Sequence, residues 1–325
     1  MIRGRKMIEV TDKVKLELCE KFSIDVKALS YLDGGKESSD GIVYIYFEGS
    51  QKRVFKILAI KETEQEKLKV LEVRIQFANY LGENGIQLAY PLVNKNGNLY
   101  EISLDKGYCF IAYVMNFYEG INPTNEELTD KLVYEWGKLT GKSHAITKTF
   151  KEGEERADLG YAGEVDFFEN WCGDEQIKQC WREMKVYLGT LPRGINEYGF
   201  IHNDNHQRNI LVNKGEIALI DFDCANRQFF MQDITVPAQG LMFDTTGGMI
   251  APFSDKDRLK RFYDSFLNGY EIENHLDSKW LKELDTFIKY RRMLLFTCMQ
   301  GWLNTEPKLK QGFIDNILNP PEFKL

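Results

Sequence analysis

Asp204, Asn209 and Asp221 place carboxylate and amide oxygens in one short stretch of the chain. It reads Phe200-Ile-His-Asn-Asp-Asn-His-Gln-Arg-Asn-Ile-Leu-Val212 and continues with Ile217-Ala-Leu-Ile-Asp-Phe-Asp223. The apolar runs 210–212 and 217–220 flank Asn213-Lys-Gly-Glu216, which predicts a β-hairpin with its turn carried by Asn213 and Gly215. An antiparallel ribbon then brings the 204–209 loop and Asp221 to the same end. Carboxylates gathered there repel one another and lose solvation unless a cation lies between them. For Asp and Asn oxygens the expected cation is Mg²⁺. A hairpin with ordinary polar turns is the bland alternative.

The spacing suggests a division of labour. Asn209 follows Asp204 by five residues, the separation between base and metal-binding Asn in the catalytic loop of kinases. An acid there can accept or orient the proton of an attacking hydroxyl. An amide can hold a metal without adding charge that would repel phosphate. Asp221, closing the hairpin, is placed as the anionic metal ligand. Asp223 is either a second metal contact or a turn cap. His202 and His206 read as loop structure, His202 positioning the Asp204 backbone, and Asp233 reads as the cap of a following helix.

Upstream, Lys56 interrupts an apolar strand, Val54-Phe-Lys-Ile-Leu58. A buried lysine needs an anionic partner, and Glu72 on the next helix is the candidate. Such a pair would hold the α- and β-phosphates of a nucleotide. A lone strand lysine usually faces water, but the downstream loop favours a functional one. For Glu72 a solvated face is the alternative, since Glu62, Glu64 and Glu66 precede it. Asp33-Gly-Gly-Lys-Glu-Ser-Ser39 offers backbone N–H groups at Gly34 and Gly35, and a hydroxyl from Ser38 or Ser39, to cover phosphates.

These residues resemble the aminoglycoside phosphotransferase and choline kinase family of small-molecule kinases. The likeness rests on His202, Asp204, His206 and Asn209 in the loop and on Ile220-Asp-Phe-Asp223 after it, and spans roughly Leu32 to Asp233. It implies an α+β, bilobal, protein-kinase-like fold. Residues 1–118 would form a nucleotide-binding lobe, an antiparallel sheet with one packed helix. Residues 119–325 would form a mainly helical catalytic and substrate-binding lobe carrying the hairpin. ATP would lie between the lobes, with Mg²⁺ on Asn209 and Asp221 and with Asp204 as the catalytic residue.

The resemblance further implies nucleotide contacts at Gly34, Gly35, Ser38, Lys56 and Glu72. Met115 would line the base pocket, and Asn116 and Tyr118 mark the backbone that pairs with adenine. The acceptor would be a hydroxyl of a small molecule such as an aminoglycoside, choline or another amino alcohol, homoserine or a sugar. No Ala-Pro-Glu run follows Asp223, which argues against a protein kinase. Two other classes remain. A nucleotide-binding pseudokinase would keep the fold without transfer, and a metallohydrolase would use the acidic cluster without needing Lys56 and Glu72. The intact set Lys56, Asp204, Asn209 and Asp221 favours transfer.

The surrounding pattern predicts the elements that carry these residues. Residues 8–30 read as a helix, 42–47 and 53–58 as strands about a turn at Gly49-Ser50. Leu68, Leu71, Ile75, Ala78 and Leu81 recur at spacings of three and four and predict an amphipathic helix. Strands follow at 90–93, 100–104 and 108–115. Beyond a Gly- and Pro-bearing link near residue 120, helical patterns occupy 125–146, 176–191 and three stretches from Asp255 onward. Residues 151–175 read as a loop or short helix over a cleft. Arg291 and Arg292 are placed to pair with carboxylates in that cleft or to cap a helix.

With 325 residues the chain can bury a sizeable core, and 43% hydrophobic with 28% charged residues marks a globular protein. A net charge of −7 argues against nucleic acid or anionic lipid as a partner. The longest nearly apolar run, 108–115, is too short to span a bilayer. Six cysteines without a Cys-x-x-Cys pair point to free thiols in a reducing cytoplasm.

Overall fold

The structure is a computed structural model that describes residues 9–32, 41–242, 255–320 and 323. By internal packing the chain divides between Glu119 and Gly120 into two compact units.

In the first unit α1 (Asp12–Phe22) starts at Thr11, whose hydroxyl accepts the Val14 N–H, and stops at Ser23 in the left-handed region (φ 59°). A single 3-10 turn at Val26–Ala28 replaces the rest of the helix expected over 8–30. There follow β1 (Ser30–Tyr31), β2 (Gly41–Glu48), β3 (Gln51–Lys61), α2 (Gln65–Glu83), β4 (Glu101–Asp105) and β5 (Tyr108–Asn116). The sheet is antiparallel in the order β1-β2-β3-β5-β4.

Alternation along β3 sorts its side chains between two cores. Phe55 and Ile57 pack with Val14 and Leu18 of α1, whereas Leu58 packs with Leu68, Leu71 and Ile75 of α2. The middle of β3, residues 54–60, is covered on both faces and is apolar apart from Lys56. Lys56, two residues from Leu58, is half-buried on the α2 side. The segment 90–93 forms only a bridge from Pro91 to Met115. Proline cannot donate to a ladder, and Asn116 accepts the Tyr90 N–H on Oδ1 and donates from Nδ2 to the Leu88 carbonyl.

The second unit contains α3 (Asp130–Thr147), α4 (Tyr161–Trp171), α5 (Glu175–Thr190), β6 (Tyr198–Ile201), β7 (Ile210–Asn213), β8 (Glu216–Leu219) and β9 (Asn226–Phe229). It ends with α6 (Phe230–Thr235), α7 (Gln239–Met242), α8 (Lys256–Tyr270), α9 (Leu284–Leu303) and α10 (Pro307–Leu318). The hairpin β7–β8 closes on Lys214 (φ 52°) and Gly215 (φ 87°). Positive φ at both central residues makes the turn twist with its strands. The antiparallel pair β6–β9 enters and leaves this hairpin, so the loop of interest hangs between two short ribbons.

Helices α3 and α8 meet through glycine. A methyl group on Gly137 would sit 1.9 Å from the Phe266 carbonyl oxygen, and one on Gly269 would sit 1.9 Å from that of Tyr134. Gly269→Ala must therefore push the helices apart. Overpacking of this kind costs about 1–3 kcal/mol or more, beyond the roughly 1 kcal/mol that Ala returns in helix propensity. The expected result is a thermal midpoint several degrees below wild type by calorimetry. A midpoint at or above wild type would contradict the close crossing.

None of the six cysteines forms a disulfide. Among the described residues no helix is long and apolar enough to cross a membrane.

Candidate active site

β6 delivers the chain into His202, and the loop then runs to a 3-10 turn at Gln207–Asn209 before β7 begins. The far end of the hairpin returns to it. The Ile220 N–H donates to the Asn209 carbonyl at 2.9 Å, and His202 Nε2 bonds the Ile220 carbonyl at 2.9 Å. Asp221 is thereby set beside the loop, exposed and in the left-handed region (φ 65°). Asn203 shares that conformation (φ 66°). Such angles are rare outside glycine, though Asn and Asp tolerate them best.

Three contacts converge on the Asp204 carboxylate, and a fourth holds its backbone carbonyl. Arg291 Nη2 donates to Oδ1 at 2.5 Å, and Asn209 Nδ2 donates to Oδ2 at 3.1 Å. The same Nδ2 donates to the Asp204 carbonyl at 2.8 Å, while His206 Nε2 lies 3.5 Å from Oδ2. Burial alone would raise the Asp204 carboxyl. The charges of Arg291 and His206, with the Arg291 hydrogen bond, outweigh it and hold the group below its ordinary value. His206 Nδ1 accepts the Arg208 N–H at 3.1 Å, which leaves its proton on Nε2, facing Asp204. Burial pushes His206 below its ordinary value against the upward pull of Asp204.

Asn209 uses its amide nitrogen on Asp204, so its Oδ1 is the atom left to bind a metal. Among the described residues no group of three or more His, Cys, Asp or Glu could hold an ion. The side-chain oxygens of Asn209 and Asp221 are donors of the kind that Mg²⁺ takes, and that ion usually keeps waters and takes phosphate oxygens to complete its octahedron.

The loop backbone is held from below. Asp233, fully buried on α6, accepts the His202 N–H at 2.9 Å and the Asn203 N–H at 2.7 Å. It is therefore no helix cap: it lies inside a helix and faces the loop. His144 of α3, stacked on Phe230 at 4.3 Å, lies 3.4 Å from Asp233 Oδ2 and bonds Tyr270 Oη through Nδ1 at 2.8 Å. The Asp204 N–H donates to His202 Nδ1 at 3.4 Å, so His202 does position that backbone.

Side chains secure the positions around Asp204. Asn203 Nδ2 donates to Glu164 at 2.6 Å, and Glu164 also accepts from Asn226 at 2.7 Å and Tyr290 Oη at 2.5 Å. Asn205 accepts from Trp136 Nε1 at 2.9 Å and donates to Thr140 at 3.0 Å. Asn122 donates to the carbonyls of Arg208 and Ile210 at 2.9 and 2.7 Å.

In the first unit Glu72 accepts the Tyr100 hydroxyl at 2.9 Å. Burial and the adjacent Glu72 together raise the Tyr100 hydroxyl to about 12. Asn116 ends β5 with its side chain committed to the 88–90 segment, and Met115 packs against the α2-side core. Tyr118 is half-buried just beyond. Gly34, Gly35 and Ser38 lie outside the described residues.

Residues 43–284 match the phosphotransferase enzyme family. The chain belongs to that family. It is an enzyme of the small-molecule kinase class. The amicoumacin kinase of Bacillus subtilis (strain 168) is 28% identical over 282 residues, covering 81% of each chain. A solved amicoumacin kinase, in complex with AMP-PNP, Ca²⁺ and Ami, superposes with a TM-score of 0.82 at 23% identity over 97% of this chain and 95% of that one. A microcompartment-associated aminopropanol kinase follows at 0.71 and 15% over 95% and 97%. These structures share the protein-kinase-like fold.

Within the phosphotransferase, sequence reasoning anticipated that Arg291 or Arg292 would pair with a carboxylate, and Arg291 does. Glu164, His144, Asn205 and Trp136 were not singled out. Asp233 carried a signal: an acid amid Phe230, Met231 and Ile234 must be buried with partners, and that reading outranks a cap.

Proposed function

We propose that this phosphotransferase moves the γ-phosphoryl group of Mg-ATP to a hydroxyl of a small molecule. The observation that carries the reading is the Asp204–Asn209 contact beside Asp221. That contact supports reading Asp204 as the proton-orienting carboxylate and Asn209 and Asp221 as two oxygen metal ligands at one end of the hairpin. Asp204 orients the acceptor hydroxyl, and Asn209 and Asp221 hold Mg²⁺ on the phosphates. Lys56 holds the α- and β-phosphates together with Gly34, Gly35 and Ser38, and Glu72 supports the lysine. Met115, Asn116 and Tyr118 flank the base. In the transfer, the acceptor oxygen bonds the γ-phosphorus as its bond to the β–γ bridging oxygen breaks. ADP keeps that electron pair, and the hydroxyl proton passes to Asp204 and on to water. The work is positioning and charge neutralisation.

The named relatives are an amicoumacin kinase and an aminopropanol kinase, so amicoumacin and aminopropanol head the candidates, before choline, aminoglycosides and sugars. The test is an ATP-consumption screen over these compounds with and without Mg²⁺. Acceptor-dependent ADP release that needs the metal is the expected result. Tight Mg-ATP binding with no turnover on any acceptor would favour a nucleotide-binding regulatory module. ADP release independent of every acceptor would favour a hydrolase.

A further inference from the structure

Arg291 stands apart from the rest of this site because it comes from far along the chain and carries full charge into the interior. It leaves the first half of α9 with only 3% of its surface exposed. Its guanidinium is fixed by two different acceptors: Nη2 on Asp204 Oδ1 at 2.5 Å and Nε on Gln239 Oε1 at 2.5 Å. Two bonds from separate nitrogens lock the plane of the group, which a lysine ammonium cannot reproduce. The preceding residue of α9, Tyr290, donates to Glu164, and Glu164 accepts from Asn203. Consecutive residues of one helix thus brace consecutive residues of the loop, one through Glu164 and one directly.

We propose that Arg291 is a positioning residue of the transfer step: it holds the Asp204 carboxylate in one orientation and cancels its charge, so that Asp204 aligns the acceptor hydroxyl without repelling the incoming γ-phosphoryl group. The inference rests on the reading of Asp204 given above. It also orders the two duties of that carboxylate. A carboxylate clamped by a guanidinium orients the acceptor hydroxyl first and takes its proton late, which suits a loose transition state. The remaining lone pairs of Asp204 are what the acceptor meets. Uniform ground-state binding gains nothing from Arg291, because the residue faces the base and not the nucleotide ligands proposed above.

The test compares Arg291→Gln, Arg291→Lys and Arg291→Ala, each also combined with Asp204→Asn. The probe is whichever acceptor the wild-type enzyme turns over in the screen, or water through basal Mg-ATP hydrolysis. Arg291→Gln is expected to lower kcat about 100-fold, with the KM for Mg-ATP within about threefold of wild type, the usual pattern for an interaction made in the transition state. Arg291→Lys recovers part of that loss, and millimolar guanidinium restores part of the kcat of Arg291→Ala. In the Asp204→Asn background Arg291→Gln should add less than about a threefold further loss, because the two act as one unit. A structural role would instead give additive losses and no chemical rescue. Additive losses in the double variant, or an Arg291→Gln enzyme within threefold of wild-type kcat, would overturn the proposal. A wild-type enzyme silent with every acceptor and with water would overturn the reading of Asp204 beneath it.

Discussion

Asp204→Asn is expected to lower kcat for acceptor phosphorylation by about 10³-fold, within the range for loss of a positioned proton-transfer group. Mg-ATP affinity by calorimetry should stay within about threefold of wild type, because Asn209 and Asp221 keep their oxygens. The choice of Asn over Ala follows from Arg291. Asp204→Ala strands a guanidinium that is 3% exposed, and an uncompensated buried charge costs about 3–5 kcal/mol. That variant loses thermal stability along with activity, and its kinetics alone cannot assign a role. Asp204→Asn keeps an oxygen for Arg291 and is the cleaner measurement.

The pH profile of the wild-type enzyme carries a second mark of the same pair. Burial raises the Asp204 carboxyl, but Arg291 and His206 more than reverse it, so the group stays ionised below the ordinary carboxylate range. Activity that depends on the ionised form should therefore persist as pH falls, until it drops through that depressed value. An acid limb above the ordinary range would contradict the geometry. So would an Asp204→Asn enzyme with kcat within tenfold of wild type.

The parts of this site that were legible in the sequence are those with short-range spacing. Asp204, Asn209 and Asp221 sit on one hairpin, and a hairpin announces itself through two apolar runs and a glycine turn. Helix α2 was legible for the same reason, since its buried residues Leu68, Leu71 and Ile75 mark one face. What escaped is long-range. Arg291 reaches Asp204 across 87 residues, and His144 reaches Asp233 across 89. Spacing within a helix says that such residues share a face, and only packing says what they meet. The end of α1 escaped for a local reason. Its left-handed terminator is Ser23, where glycine would have been the readable signal. Residues 151–175 hid α4 because its aromatics fall on several faces, with Phe168 buried and its neighbour Phe167 exposed.

The largest structural effect expected of one side chain belongs to Asp233. Its two carboxylate oxygens accept the backbone N–H groups of His202 and Asn203, and all three residues are buried. Asp233→Ala leaves both donors unsatisfied in the interior, at about 1–3 kcal/mol each, so a loss of roughly 3–5 kcal/mol is expected. For a unit of this size that lowers the thermal midpoint by roughly 5–15 °C. Asp233→Asn can accept one of the two bonds but turns an N–H toward the other donor, so it recovers only part of the difference. Activity should fall further than stability explains. Asn203 is held at φ 66° by these bonds and by Glu164. Once released, it can relax toward an ordinary conformation and swing Asp204 off its line. At a temperature where Asp233→Ala is still folded by circular dichroism, kcat is expected to drop about 100-fold with the KM for Mg-ATP nearly unchanged, since misplacement of about 1 Å can have that effect. A midpoint within 2 °C of wild type, or full turnover by the folded variant, would mean that something other than this buried acid holds the loop.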